Sequence, residues 1–552
     1  MRTSILLQKD YDERGGCKPS PQMFATTPFV GLVDFAERLS DEYVGNSELS
    51  KRKSKGQFFT PQEVALFMAH RFDLSNKKEI RFLDPGAGVG MLTAAFCACV
   101  LACKGLRTIA IDVYENDPDL IPYLKKTLNH CQSALEAKGH NVSYKIIQKD
   151  FVVDGPALVD RSLFSEKKTA ARYDCIISNP PYYKVGGNSA EAGSMSEFVS
   201  GQPNIYTFFM ALSLELLKAD GEMVFITPRS FCSGLYFKKF RKWLLDRGSI
   251  NSIHLFESRK DVFSKAEVLQ ENVIVNVSPR IDGSQNAKVL MTASKDASFS
   301  DFQELTVNYE DMLHRMNGDI FIKIPVADVD VKVQHVINSW GHTLREFGVN
   351  ASTGPVVSFR AKKFLASEYK TGKTVPLLWM HNIQGMKAVW PLGRKNKECA
   401  IRRGEGIDPC LIPVSNYVLV KRFSSKEQNR RLYAGVLLKS EFAFDRLGIE
   451  NHLNYIYKVK SALSVEEAYG IAGILNSSIV DKFFRMMNGN TQVNVTDIVN
   501  LPLPSFALIK EIGMFILRNK PSIGRELDKA VSDILGTQDI FNTLYGGSDG
   551  ED

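Results

Sequence analysis

Asn179-Pro180-Pro181-Tyr182 is the segment of this sequence best equipped for chemistry. It follows the apolar run Tyr173-Asp174-Cys175-Ile176-Ile177-Ser178, which predicts a buried strand. Successive prolines fix φ and remove backbone donors, so the chain must leave the sheet there in a rigid turn. An amide side chain, bare carbonyls and an aromatic ring then sit together at the carboxyl end of a strand. That set can accept hydrogen bonds from a flat, amino-bearing group and stack on it. Taken alone, the segment is equally readable as a strand stopped by proline.

A second constellation lies about a hundred residues upstream. Ile80 to Asp84 predicts a short strand, Pro85-Gly86-Ala87-Gly88-Val89-Gly90 a glycine-rich turn, and Met91 to Cys103 a buried helix. Glycine lets the backbone approach a ligand closely, and a helix start offers free N–H groups. The next predicted strand, Arg107 to Tyr114, ends at Glu115. An acidic residue in that place can accept both hydroxyls of a ribose. Dinucleotide binding competes as an explanation, but the loop reads DPGAGVG and not GxGxxG. Asp84, just before the first glycine, is placed to pair with an amino group.

The elements that would position these residues alternate between strand and helix from about 49 to 285. Further strands are expected at Tyr144–Lys149 (ending in Asp150-Phe151), Gly221–Thr227, Ile250–Phe256 and Asn272–Val277, the last able to close a terminal hairpin. Helices are expected over Asn204–Lys218, with its apolar residues on one face, and Leu235–Arg247, which is amphipathic and basic. The pattern predicts an α/β fold with a Rossmann-like, doubly wound, mostly parallel sheet of seven strands. Ligands of such sheets bind beyond the carboxyl ends of the strands. Asp84, Glu115, Asp150 and Asn179 all fall at such ends.

Residues 1–48 carry no strong pattern and are expected to form an N-terminal arm. After about 285 the alternation weakens. Trp379, Trp390, Phe423, Tyr433, Tyr455 and Tyr457 are interleaved with Lys421-Arg422, Lys426 and Arg430-Arg431. A mixed α+β domain over 286–552 is expected, with one helix at about 465–487 followed by the amide-rich stretch Asn488 to Asn494.

An apolar content of 44% and a charged content of 24% are those of a globular chain, and 552 residues suffice for several domains. The net charge of +7 suits a polyanionic partner. No stretch approaches the ~20 apolar residues that cross a bilayer, so no membrane association is expected. Met1 to Gln8 lacks the apolar core of a secretory leader. The nine cysteines show no CxxC spacing, and Cys97, Cys99 and Cys103 read as core thiols, so no metal site is expected. A reducing, cytoplasmic setting fits this cysteine usage.

The chain resembles the γ-class N6-adenine DNA methyltransferases of type II restriction–modification systems, the TaqI-, Eco57I- and PstI-like group. The resemblance rests on Gln57-Phe58-Phe59-Thr60-Pro61, then Asp84 to Gly90, Glu115, Asp150-Phe151 and Asn179 to Tyr182, in that order. It covers roughly residues 50–280 with specific motifs. It extends more loosely through Lys421-Arg422-Phe423 and Asn488 to Pro504, which look like landmarks of a target-recognition domain.

The resemblance implies a prokaryotic setting, S-adenosylmethionine as cofactor and double-stranded DNA as partner, with a separate restriction endonuclease sharing the target. Phe59, Thr60 and Pro61 would close over the methionine end of the cofactor. Asp84, Gly86, Gly88 and Gly90 would hold that end, Glu115 the ribose, Asp150 the adenine amino group and Phe151 the adenine ring. Asn179 and the Pro180 carbonyl would accept the two hydrogens of the target amino group, Pro181 would keep the turn stiff, and Tyr182 would stack on the base. A base inside a duplex cannot reach such a site and must be flipped out. Phe263 is the candidate for the second face of the base, and equally a core residue. Lys421, Arg422, Asn490 and Asn494 are the candidates for DNA contact, because amides and arginines read base edges. The basic runs Lys51-Arg52-Lys53 and Lys238-Lys239 with Arg241-Lys242 read either as solvated faces or as phosphate contacts. NPPY also occurs in enzymes that methylate a protein glutamine or an RNA base, which usually lack such a long aromatic and basic C-terminal region.

Overall fold

The computed structural model describes residues 30–48, 59–103, 105–159, 173–186, 189, 191, 193, 204–258, 271–280, 288–316, 318–392, 397–424, 428–489 and 491–546. The chain divides into two compact units, Met1–Val326 and Ala327–Asp552.

The first unit is built on a sheet of nine strands. These are β1 (Glu79–Asp84), β2 (Thr108–Tyr114), β3 (Asn141–Ile147), β4 (Tyr173–Ser178), β5 (Leu217–Pro228), β6 (Gly248–Phe256), β7 (Asn272–Pro279), β8 (Lys288–Ser294) and β9 (Gln303–Asn308). Their spatial order is β3-β2-β1-β4-β5-β7-β6-β8-β9. Strands β3 to β5 pair in parallel, with Phe82 opposite both Ile111 and Cys175. Strand β7 runs antiparallel between β5 and β6, which is the terminal hairpin expected from sequence. The chain winds outward from β1 to β3, then returns to lay β4 on the other side of β1. Asp84 and Asn179 therefore leave adjacent strands at the point where the winding reverses, where such sheets bind ligands.

Every residue of β4 is buried, as its unbroken apolar pattern requires. The helices are α1 (Val30–Asn46), α2 (Gln62–Ala69), α3 (Met91–Ala102), α4 (Ile121–Glu136), α5 (Ile205–Leu216) and α6 (Lys238–Arg247). Helix α3 is apolar all round and buried from Met91 to Val100, with α1, α2 and α4 packed on it.

Several expectations are corrected here. The supposed arm over 1–48 includes α1, whose Leu32, Val33 and Ala36 lie in the main core. The boundary expected at 285 falls inside the sheet, because β8 pairs with β6 and β9 with β8. The sheet has nine strands where seven were expected. Arg241, read as a surface cation, is fully buried.

The second unit is α+β. One sheet of six strands is ordered Val349–Thr353, Leu453–Lys458, Tyr417–Lys421, Ala434–Leu437, Lys387–Ala388, Ile383–Gln384. Another of five strands is centred on Thr374–Leu378. Helices Val465–Leu475, Ser478–Met487, Phe506–Asn519, Arg525–Leu535 and Gln538–Tyr545 pack on the first sheet's core. The single helix expected at 465–487 is broken at Asn476-Ser477. The buried Asn476 amide explains the break, since it makes paired hydrogen bonds to the Ala434 backbone at 3.0 and 2.8 Å.

Candidate active site

Four strand ends and one helix start converge on a single cleft of about 440 Å³. Phe59, Thr60, Gly86, Gly88, Glu115, Asp150, Phe151, Asn179 and Pro181 all line it. Residues from five separate sequence motifs therefore share one cavity, while Pro61, Asp84, Gly90, Pro180 and Tyr182 are not among its lining residues.

The glycine turn is shaped by backbone conformation. Gly88 and Gly90 have φ of 57° and 91°, in the left-handed region that side chains disfavour. A Cβ on Gly90 would also come within 3.0 Å of Thr127. The Ala87 amide donates to the Tyr114 carbonyl at 3.0 Å, which ties the turn to the end of β2.

Asp84 closes β1 and is fully buried. One carboxylate oxygen accepts from the Thr93 hydroxyl at 2.9 Å, and the other is buried with no hydrogen-bond partner. Burial pushes its carboxyl up to about 7, against the opposing pull of Thr93 and the Gly86 amide. A buried acceptor left unsatisfied beside a cleft costs free energy that a cationic ligand would recover.

Glu115 is nearly buried, and burial raises its carboxyl as well. Its two oxygens accept from the Gly88 and Asp117 amides, each at 2.8 Å. Each oxygen keeps a second lone pair for a ligand hydroxyl. Asp150 caps the single helical turn Phe151–Asp154, accepting from the Val152 and Val153 amides at 2.9 and 3.0 Å. Its other oxygen accepts from the Asn116 side chain at 3.2 Å. Phe151 meets Tyr114 edge-on and Phe209 at a tilt, with ring centroids 5.2 and 5.3 Å away.

The turn after β4 is fixed by its own side chains. Asn179 donates from Nδ2 to the Thr60 hydroxyl at 3.1 Å, and its Oδ1 accepts from the Tyr182 hydroxyl at 2.6 Å. The Tyr182 hydroxyl also lies 3.0 Å from the Ile226 carbonyl of β5. Burial pushes the Tyr182 phenol well up, so it stays protonated and can donate. Pro180 is buried, Pro181 half-buried. Phe59 and Thr60 precede Pro61, whose carbonyl accepts the Ala65 amide at 2.9 Å to start α2. The FTP and NPPY segments, 119 residues apart in sequence, thus meet through one hydrogen bond.

Residues 98–263 match the family model described as "Eco57I restriction-modification methylase". The chain is 36% identical over 508 residues to the type II methyltransferase M.BsuBI of Bacillus subtilis, covering 91% of this chain and 99% of that protein. It is 34% identical over 473 residues to the type II methyltransferase M.PstI of Providencia stuartii, covering 85% and 90% of the two chains. The chain belongs to the type II restriction–modification methyltransferases. The solved structure of the type IIL restriction-modification enzyme MmeI in complex with DNA superposes with a TM-score of 0.52 at 12% identity, covering 94% of this chain and 75% of that one, and supports the fold.

The cleft also contains residues that the sequence reading did not single out. Asn116 orients Asp150, and Tyr183 and Phe209 line the cleft. Asn116 directly follows Glu115 and Tyr183 directly follows the NPPY turn, so adjacency was the available signal. Phe263, Asn490 and the 51–55 basic run lie outside the described residues.

In the second unit the two expected DNA-contact landmarks are neighbours. The Val493 amide donates to the Arg422 carbonyl at 2.8 Å, and Phe423 bridges to Gln492. The side chains are partly committed to structure, however. Asn494 caps the helix Val495–Val499 with Asp497, Lys421 sits 4.7 Å over the Tyr433 ring, and Arg422 donates to the Asn451 carbonyl at 3.1 Å. Among the described residues no helix is long and apolar enough to cross a membrane.

Proposed function

We propose that the enzyme transfers a methyl group from S-adenosylmethionine to N6 of an adenine flipped out of double-stranded DNA, directly and in line, with no covalent enzyme intermediate. The observation that carries this reading is the cleft itself. It runs from the glycine turn, which directly follows the buried and unsatisfied Asp84, past the Glu115 carboxylate to the Asn179 amide at the NPPY turn.

The chain's residues fit the cofactor at each end. Asp84 offers an uncompensated negative charge to an α-ammonium group. Glu115 is held by two backbone amides in a fixed orientation, with lone pairs left for ribose hydroxyls. Asp150 would accept an adenine amino hydrogen beside the Phe151 ring. When bound, S-adenosylmethionine supplies an electrophilic methyl group on a sulfonium.

The exocyclic amine of adenine is a poor nucleophile because its lone pair is delocalised into the ring. Asn179 addresses this through orientation. Thr60 takes up its Nδ2, so Oδ1 is the atom available to accept an amine hydrogen. The Tyr182 hydroxyl donates to the same Oδ1, and an amide oxygen carries two lone pairs and so can accept more than one hydrogen. The Pro180 carbonyl accepts the other amine hydrogen. Together these acceptors draw the nitrogen toward a pyramidal form with its lone pair exposed. Preoriented dipoles and placement supply the rate. Tyr182 and Tyr183 are the aromatic rings nearest to hand for stacking on the base, at about 1–3 kcal/mol per stacked base. In this reading the Ala327–Asp552 unit carries target recognition, and a separate restriction endonuclease shares the target sequence.

The test is product identification. The enzyme is incubated with unmethylated bacteriophage DNA and methyl-labelled S-adenosylmethionine, and the DNA is digested to nucleosides. Label in N6-methyl-2′-deoxyadenosine is expected. Label in a methylcytosine, or none in DNA while RNA or protein is labelled, would overturn the reading.

A further inference from the structure

Between β5 and α6 the chain forms a short protruding tip. A 3₁₀ turn over Arg229–Cys232 leads through Ser233 and Gly234 to a second one, Leu235–Phe237, from which α6 begins at Lys238. Leu235 and Tyr236 are 66% and 67% exposed, the most exposed large apolar side chains among the described residues of the first unit. Lys238 and Lys239 follow directly and are exposed too. Neither side chain belongs to a core cluster of the described residues.

The tip is nonetheless held rigidly. Arg241, fully buried, donates to the Phe231 and Gly234 carbonyls at 3.1 and 2.7 Å. It reaches beyond them to the Ile320 carbonyl at 2.7 Å and to both oxygens of Asp319 at 3.0 and 2.9 Å, on the hairpin of β10 (Leu313–Met316) and β11 (Asp319–Ile322). One guanidinium thus fixes both ends of the turn to an independent element. The Gly234 amide donates to the Ser230 carbonyl at 2.9 Å, and a Cβ on Gly234 would meet that carbonyl at 2.8 Å, so the turn is tight.

The tip is also tied to the NPPY turn. Phe237 stacks on Tyr206 with centroids 5.8 Å apart, and Tyr206 meets Tyr182 edge-on at 6.3 Å. The Tyr206 hydroxyl lies 3.0 Å from the Ser230 hydroxyl. The exposed pair therefore stands two aromatic rings from the residue that flanks Asn179, on the same edge of the sheet.

We infer that residues 235–239 form a DNA-docking tip of the catalytic unit, in which Lys238 and Lys239 meet backbone phosphates while Leu235 and Tyr236 lie against the base step vacated by the extruded nucleotide. This rests on the proposed function. Extrusion leaves a neighbouring base with one face unstacked. A rigid apolar and aromatic pair covers such a face at low entropic cost. Flanking cations neutralise phosphates and release counterions. Solvated lysines alone would need no anchored turn, and a hidden core would not leave Leu235 and Tyr236 two-thirds exposed.

The experiment compares the full-length chain with Leu235→Ala/Tyr236→Ala and Lys238→Gln/Lys239→Gln. The substrates are duplex oligonucleotides bearing the site mapped on bacteriophage DNA, with the target adenine either paired to thymine or opposite an abasic site. Calorimetry with S-adenosylmethionine should give wild-type affinity for both variants. The apolar double variant should lose tenfold or more in kcat/KM on the paired duplex and return to within about threefold of wild type opposite the abasic site, where the base is already free. The lysine variant should raise KM for DNA about tenfold at 0.1 M salt on both substrates. It should flatten the slope of log KM against log salt by about two, one for each phosphate that a lysine no longer neutralises. Both variants indistinguishable from an active wild type would overturn the inference. A loss in the apolar variant that persists opposite the abasic site would overturn its placement at the vacated stack. A wild-type chain inactive on DNA would instead overturn the proposed function, and this surface with it.

Discussion

Replacing Asp84 by asparagine should make the cofactor-free enzyme more stable and almost unable to bind cofactor. The carboxylate is fully buried, and the side chain that donates to it is the neutral Thr93 hydroxyl. Burial raises its carboxyl from an ordinary 3.8 to about 7. Because the folded-state value is raised, the folded chain holds the proton more tightly than the unfolded one. The contribution of this group to stability is then most favourable below about pH 4 and falls as the pH rises toward 7, beyond which its full penalty is present. A shift of about three pH units, at about 1.4 kcal/mol each, corresponds to a penalty of up to about 4 kcal/mol at pH 8. Asparagine preserves the shape and the bond to Thr93 while removing the charge. Thermal denaturation of the cofactor-free protein at pH 8 should give a higher midpoint for Asp84→Asn than for wild type, and the difference should shrink toward pH 4. Calorimetry should show cofactor affinity reduced about a hundredfold or more, the scale of losing a charged hydrogen bond in a buried site. Wild-type binding should also become proton-linked near neutral pH, since pairing with an ammonium requires the ionised form. A destabilised Asp84→Asn at pH 8, or one that binds cofactor normally, would refute the assignment.

Thr60→Val removes the acceptor that orients Asn179. It should cut the transfer rate about tenfold while Thr60→Ser keeps it near wild type, as read by single-turnover methyl transfer. Glu115→Ala takes away the carboxylate that holds the Gly88 and Asp117 amides and that is proposed to bind the ribose. Calorimetry should show a large loss of S-adenosylmethionine affinity, and an unchanged value would contradict the ribose role. A chain ending at Val326 should keep cofactor binding and lose sequence-specific DNA binding, measured by competition with unrelated duplex. A chain cut at 290 should be insoluble or unfolded, because it loses β9 and most of β8 from the sheet.

The site was more legible in the sequence than the boundaries around it. Asp84, Glu115, Asp150 and Asn179 each end an apolar run, and a sheet wound in both directions brings such ends together. The strands themselves read clearly where both faces are buried, as in β4. Edge strand β9 reads Gln-Glu-Leu-Thr-Val-Asn and buries only Val307, so it carried no comparable signal. Strand β3 begins at Asn141, three residues before the expected start, for the same reason of partial exposure. Helix α1 was legible but missed. Its Leu32, Val33, Ala36, Leu39 and Tyr43 recur at helical spacing, and all are buried. Arg241 could not be read from sequence. Lys238, Lys239 and Lys242 beside it are exposed, and only the fold shows that Arg241 is turned inward to hold backbone carbonyls. Asn494 shows the opposite case, an amide that suits DNA reading yet caps a helix.

The central claim is that the Asn179 side-chain oxygen activates the target amine without contributing to cofactor binding. Asn179→Ala, mixed with bacteriophage DNA and methyl-labelled S-adenosylmethionine in a single-turnover experiment, tests this most directly. The account predicts cofactor affinity within about threefold of wild type and a rate of N6-methyladenine formation lower by about a thousandfold. N6-methyladenine forming at the wild-type rate would contradict it.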